Sequence, residues 1–484
     1  MKTSRRRWLG LGLGLGAIGA ASPGLHLGRA WAEDGGGFPP TPEGHADDAS
    51  HLERTRTQLT VIEGDTERAA AEVQAALFRA RTEGLPTSIA GARHTMGGHT
   101  IAPGGLQLDL SGVRSIALEG DVLRVGAGAR WEDVLPFLDA RGRAVRVMQS
   151  NADFSIGGSL GANCHGWQPG CGPLASTVRA FSCVVPDGRM LRCSRDVNAD
   201  LFRHVIGGYG TIAVVLEVEL ETAENVLVES RTRIVTLDAL ADTLLTSTDA
   251  ELAFARLSIP EGDERFEEVI VTDYRRAEGD VPPLAPMPDD DLARLVFRGE
   301  IGSPFGKSLR WLLERELGGE GGARTSRNQL MSEPVARFGN RNPARTDVLF
   351  EGFVPPQRAP AYAREVREIV AEHAVDLLNV TVRHVRADPD AVLTYAPTEV
   401  LGLVMLFSIP RTRSADEALG RATRALIDAA HAHGGRYYLP YRSHATRAQF
   451  DRAYPEAESF RAFKRAIDPD VLLQNRFFET YLRA

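Results

Sequence analysis

Apolar residues at Ala70, Val73, Leu77 and Ala80 recur at helical spacing from Glu67 onward and predict an amphipathic helix. Residues 85–90 read as a short strand. Residues 106–110 alternate apolar and polar side chains, as a half-buried strand should. Residues 213–220 are a further strand. From Val226 to Leu439, strand-like runs at 232–237, 268–273, 348–354, 379–385 and 401–409 alternate with helical patterns over 361–374 and 415–433. The polar, Pro- and Gly-rich stretch 275–330 predicts an excursion or lid. The mixture predicts an α+β chain in two parts, the second a sheet backed by helices.

Three glycine-rich segments punctuate the first part. The first, Gly91-Ala92-Arg93-His94-Thr95-Met96-Gly97-Gly98-His99, lies between two strands. That is the wrong context for a dinucleotide fingerprint, which must open a helix. A glycine-rich loop still exposes unpaired N–H groups that suit a pyrophosphate. The second, 150–166, keeps small residues wherever backbone would touch a planar ligand: Ser150, Asn151, Ser155, Gly157, Gly158, Gly161, Ala162, and then Asn163-Cys164-His165-Gly166. The third is Gly207-Gly208-Tyr209-Gly210-Thr211-Ile212. Three such loops feeding strands predict one long, extended ligand cradled by backbone. The 48 glycines in 484 residues, above the usual ~7%, agree.

Charge and composition narrow the function. Hydrophobic residues are 43% and charged residues 25% of the chain, a soluble globular balance. Residues 1–32 hold Lys2, Arg5, Arg6, Arg7 and Arg29 and no acid. Setting them aside leaves 51 of the 56 basic residues against 64 acidic ones, a net charge of −13. Nucleic-acid binding is disfavoured by that balance. The only lysines are Lys2, Lys307 and Lys464, and no P-loop exists. Ser4-Arg5-Arg6-Arg7-Trp8-Leu9, a glycine-diluted apolar stretch and Ala30-Trp31-Ala32 resemble a twin-arginine export signal ending at residue 32. Residues 33–50, rich in Gly, Pro and acid, read as a linker. No later apolar run is long enough to span a membrane. Cys164, Cys171, Cys183 and Cys193 contain no CxxC pair, so zinc and iron–sulfur sites lack their ligand spacing and no metal is expected. A hairpin turn between Cys183 and Cys193 leaves two readings open, a disulfide or free thiols.

In order, the glycine segments resemble the FAD domain of the vanillyl-alcohol oxidase / para-cresol methylhydroxylase flavoprotein family. The resemblance covers most of 55–222 and returns in the C-terminal succession Tyr454-Pro455, Asp468-Pro469 and Asn475-Arg476-Phe477. It is nearest the alditol and aldonolactone oxidases, whose Gly-Thr-His-Gly-like run matches Asn163-Cys164-His165-Gly166. The loop 93–97 with 102–105 also resembles cytokinin dehydrogenases. The resemblance implies a two-part FAD-binding domain of the PCMH type over 51–223, a substrate cap domain with an antiparallel sheet over 224–440, and a closing segment 441–484. It implies FAD held by Gly91, Ala92, Arg93, His94, Thr95, His99, Ser150, Asn151, Ser155, Gly157, Gly158, Gly161, Ala162, His165, Gly210, Ile212 and Asn475. His94 takes the position of the histidine that bonds the flavin, with His99 its rival. The attachment cysteine of bicovalent members falls near Asn151, so the linkage is expected to be single.

On the strand 379–385, Thr381 and Arg383 share one face and His384 the other. Sugar oxidases of the family carry Glu-x-Arg there. Arg383 matches and Thr381 replaces the glutamate, so these two are the candidate catalytic residues. Where those oxidases place a lysine before the closing segment, this chain has Arg442 and His444. The substrate-binding aspartate of the cytokinin dehydrogenases falls near Ser150. The implied function is an exported, periplasmic or secreted FAD oxidoreductase. It would oxidise an alcohol, sugar or lactone by hydride transfer to the flavin, with oxygen or an electron carrier as acceptor. A cytokinin-like amine dehydrogenase, a berberine-bridge-like oxidase and a flavin-free binding protein are the alternatives.

Overall fold

The computed structural model describes residues 21–262, 264–287, 290–318 and 321–483. Chain order builds the first part around the helix Thr66–Glu83, which carries the strand Gln58–Glu63 over to Thr87–Ala90. Asp65 caps that helix by accepting from Arg68 N, and Gly84 ends it in the left-handed conformation at φ +65°. Its buried face includes Ala70, Val73, Leu77 and Ala80, the apolar stripe of the sequence. The strand Leu106–Gly112 lies between Gln58–Glu63 and Thr87–Ala90, parallel to both. A six-stranded antiparallel sheet follows, with Val214–Glu224 pairing Val178–Val184, Val122–Gly126 and Arg143–Val145.

The second part is an eight-stranded antiparallel sheet. Its order is Arg324–Ser326, Leu227–Thr236, Glu268–Arg276, Leu252–Leu257, Leu377–Val385, Val400–Pro410, Arg345–Val354, Arg436–Tyr437. The helices Ala359–Glu372 and Arg413–Ala432 pack against each other and bury one face each. The chain then returns to the first part. Leu473 bridges Thr87, and Lys464 Nζ donates to the Thr211 and Leu473 carbonyls, so the C-terminal segment ties two of the glycine loops together.

Three sequence expectations change, and one of the two cysteine readings stands. The second glycine segment does not stay a loop: residues Ile156–Ala162 wind into a short helix with Ser155 at its N-cap. The excursion holds two helices, Asp291–Arg298 and Pro304–Gly318. The expected linker is packed structure from residue 45 onward: Ala46, Asp47, Asp48 and Ser50 are buried. Asp48 accepts from Ser50 and from Gly98 N at 2.7 Å, which pins this segment to the first glycine loop. Cys183 pairs with Leu191 and Cys193 with Phe181, an offset that leaves the two thiols free at 3.9 Å.

The twin arginines lie outside the described residues. The end of the expected signal, Ala21–Glu33, is a helix against Asp291–Arg298, with Ala30 buried and Asp34 bridged to Arg294 at 2.6 Å. Among the described residues, no helix is long and apolar enough to cross a membrane.

Candidate functional site

The two parts enclose a cavity of about 1890 Å³, lined by all three glycine segments and by one face of the eight-stranded sheet. Single-ligand pockets reach about 1,000 Å³, so this volume has room for two molecules. On the cradle side, Gly91, Gly157, Gly158, Gly161 and Gly210 all line the cavity. A Cβ on Gly161 would find only Gly210 N, at 4.0 Å, so an open slot lies over Gly161, beside the 2.9 Å bond from Tyr209 N to Gly161 O that joins the two loops. Gly210 sits at φ +70°, where a side chain would be strained. Thr95 Oγ1, Thr100 Oγ1 and His99 Nδ1 are buried without a partner at the same wall. Orphaned polar atoms cost roughly 1–3 kcal/mol each, so they call for a polar ligand. Slot, exposed backbone and orphans together fit the pyrophosphate and ring system of FAD.

The opposite wall follows from strand register. Arg256 pairs with Thr381, Thr381 with Val404, and Val404 with Glu351, so these four lie in one row across the sheet. All four line the cavity, as do Phe254 and Arg383, two residues further along their strands. Gly402, opposite Arg383, leaves room for Phe353, whose ring a Cβ there would meet at 2.6 Å. Thr381 is engaged by Asn379, whose Nδ2 donates to its hydroxyl at 3.1 Å. Arg383 Nη2 donates to Ser150 Oγ at 2.5 Å while its Nε–H is buried without an acceptor. His384 points away, bonded to Glu399.

Glu351 is the residue that sequence reasoning missed. It is buried, accepts from His165 Nε2 at 2.6 Å through Oε2, and accepts from the Tyr441 hydroxyl through Oε1. The carboxylate absent at Thr381 is thus supplied two strands over, about 10 Å away in the same row. Burial works against its charge. The charge and hydrogen bond of His165, the Arg383 guanidinium and the Tyr441 hydroxyl nevertheless hold the carboxyl below its ordinary range. Burial, then the Glu351 charge, pushes the Tyr441 phenol well up, so Tyr441 keeps its proton. Phe353, Tyr395 and Tyr438 surround His165 with ring centroids at 5.2, 5.7 and 5.6 Å, which keeps water from the pair.

The two candidate histidines differ in access. His94 stacks on Phe154 at 4.0 Å, with Nε2 3.3 Å from the Asp153 carbonyl oxygen. The proton therefore belongs on Nε2, and Nδ1 is left free. His99 is fully enclosed, its Nε2 donating to Leu439 O at 2.9 Å. Burial pushes its pKa down to about 3.

Every other expected cofactor contact except Asn475 lines the cavity. Asn475 lies behind it, where Nδ2 donates to the His99 and Tyr209 carbonyls and clamps two glycine loops together. The Arg93 side chain turns to Gln107 and Asp109, which leaves its backbone to the cavity. Arg442 is held by Glu53 and Asp416, and His444 by Asp416, so neither replaces the expected lysine. Their neighbour Tyr441 faces the cavity instead.

Residues 67–194 match the family model described as an FAD binding domain. The chain is 28% identical over 224 residues to cytokinin dehydrogenase 7 of Oryza sativa subsp. japonica, covering 44% of this chain and 41% of that one. It is 32% identical over 153 residues to cytokinin dehydrogenase 1 of the same organism, covering 30% and 29%. It is 28% identical over 152 residues to L-gulonolactone oxidase of Mus musculus, covering 31% and 34%. The chain thus spans less than half the length of each of these relatives. The matched segment carries the first two glycine segments of the cradle, and it is this part of the chain that is similar to an FAD binding domain.

Proposed function

We propose that the protein is an FAD-dependent oxidoreductase acting on the C–OH group of a small molecule, with oxygen or an electron carrier as final acceptor. The observation that carries this is the buried Glu351 carboxylate, shared by Tyr441 and His165 in the wall that faces the glycine cradle. Bound FAD supplies a two-electron acceptor there. Tyr441 takes the hydroxyl proton of the substrate on its oxygen as its own proton passes to Glu351 Oε1. His165 keeps its bond to Oε2 and fixes the carboxylate. Arg383, whose Nε–H has no acceptor, orients an oxygen of the substrate and offsets negative charge that develops beside it. Thr381 acts by holding Asn379 in the same wall.

An amine substrate is the second reading, favoured by the similarity to proteins named cytokinin dehydrogenases. The same hydroxyl–carboxylate pair would take the proton from nitrogen. A panel of alcohols, sugars, lactones and amines, scored for flavin bleaching without oxygen, separates the two. A protein that purifies without yellow colour, or that no substrate class bleaches, would remove the oxidoreductase reading.

Export in folded form, with FAD already bound, rests on residues 1–32 alone. Replacing Arg5 and Arg6 with lysine is expected to strand an active, flavin-loaded precursor in the cytoplasm, measured by fractionation. Normal delivery of that double variant would remove the twin-arginine reading.

A further inference from the structure

The cavity wall changes character away from the Arg383 row. At the sheet end it presents Arg383, Thr381, Asn379, Arg256 and Glu351. Toward the excursion the lining turns to Ala285, Met287, Val296, Phe297, Leu330 and Phe338. Phe297 and Phe338 meet edge-on at 5.5 Å, and the Arg310 guanidinium covers Phe297 at 4.6 Å. Several polar side chains of this lobe are already engaged, with Arg337 Nε and the exposed Arg341 guanidinium the exceptions. Arg310 is taken by Glu300, Glu314 and Asn379. Gln329 bonds both the N–H and the carbonyl of Ala285, at 2.8 and 3.0 Å. Asn340 spans the Asn342 and Arg345 carbonyls. A free polyol laid along this lobe would surrender its water and find few partners, which is unfavourable for each hydroxyl. An apolar body gains by the same transfer.

We infer that the substrate is amphipathic: an alcohol carried on a large apolar body, its C–OH end at Tyr441 and Arg383 and its body in the lobe formed by Met287, Val296, Phe297, Leu330 and Phe338. This rests on the oxidoreductase reading above and narrows it, setting aside the short sugar alcohols and lactones. Phe254, beside Arg383 and 5.4 Å from Trp167, continues the apolar surface to within one residue pair of the reacting end.

The test uses the flavin-loaded protein without oxygen. A homologous series of primary alcohols from ethanol to decanol, with 2-naphthylmethanol, is compared with xylitol, sorbitol and galactonolactone. Half-saturation for flavin bleaching should improve about fourfold for each methylene that enters the lobe, and the polyols should be at least 100-fold poorer. Met287→Glu and Phe297→Ser should each cost the long alcohols about tenfold in half-saturation and leave ethanol unchanged. Fluorescence of 2-naphthylmethanol reads binding directly, independent of turnover. Polyols that bleach as readily as decanol, with no trend along the series, would overturn the amphipathic substrate and leave the oxidoreductase standing. If nothing bleaches the flavin, the oxidoreductase reading falls, and the binding assay decides the lobe. Naphthyl binding that Met287→Glu and Phe297→Ser both weaken supports it, and binding that neither changes overturns it.

Discussion

Replacing Glu351 with glutamine should slow substrate-driven flavin bleaching about 1000-fold, within the ~10²–10⁴ range for removing a positioned proton acceptor, while FAD stays bound. Glutamine keeps the volume of the side chain, and its carbonyl still accepts from Tyr441. It cannot take up the proton that Tyr441 must release. Its amide would also set N–H against the His165 Nε2–H, which now donates to Oε2 at 2.6 Å. Tyr441→Phe should cost a similar factor, because it removes the hydroxyl through which the proton travels. The double variant should be little worse than either single one, since residues acting as one unit do not add. Stopped-flow reduction under anaerobic conditions measures all three. The pH profile gives a second check. With the carboxyl of Glu351 held below its ordinary range, the wild-type rate should persist on the acid side of that range and fall only as Glu351 takes a proton. Unchanged reduction in Glu351→Gln would remove the pair from the reaction, and loss of FAD together with rate would show that the change disturbed packing instead.

The reach of the sequence is uneven for a physical reason. Elements whose pattern is local were legible: the helix Thr66–Glu83, the strand Leu106–Gly112 and the cap strands around Leu377–Val385 each carry their own period. So was the shared face of Thr381 and Arg383, because alternation along one strand requires it. Glu351 was not, because its role depends on register across three strands separated by many residues. The available signal was Glu351 in the run Phe350–Val354, whose other residues are apolar or glycine and buried, whereas the strand's other carboxylate, Asp347, lies nearer its start. A charge there requires partners, and His165 and Tyr441 come from elsewhere in the chain. The segment 33–50 misled through composition. Its glycines and prolines read as a tether, while Asp47, Asp48 and Ser50 turn their side chains onto nearby backbone and onto Gly98. The helix Pro304–Gly318 was hidden by Pro, Gly and charge, although its Arg310 is paired inside the fold. Asn475 reads as a ligand contact because it belongs to the closing segment, and in the fold it joins two of the loops that line the cavity.

Flavin should stay with the protein through acid precipitation, and His94→Ala should release essentially all of it. His94 stands in the loop that follows Thr87–Ala90, at the wall of the cavity that Gly161 and Gly210 also line. A nucleophilic imidazole must be neutral and must present a lone pair. Burial holds the His94 pKa below its ordinary value despite the nearby Asp153 charge, so the ring is neutral across the physiological range. The Asp153 carbonyl takes the Nε2 proton at 3.3 Å, which leaves the Nδ1 lone pair free, and Phe154 stacks 13° from parallel to hold the ring in place. About a fifth of the His94 side chain remains exposed, at 21%. His99 meets the neutrality requirement but not the access one, since Leu439 O holds its ring and Tyr209 and Phe477 close around it. A bond at His94 would also draw electron density from the ring system and stop loss of the cofactor outside the cytoplasm. Precipitated wild-type protein should therefore remain yellow and fluoresce on a denaturing gel, with the label mapping to the peptide that contains His94. Complete release of FAD from the wild type would end the covalent assignment and leave the cradle intact, because the glycine segments and their orphaned hydroxyls would hold the pyrophosphate without any bond to the ring. A His94→Ala protein that stays labelled, beside a His99→Ala protein that does not, would move the attachment to His99 and require the Leu439 contact to open before the flavin is bound.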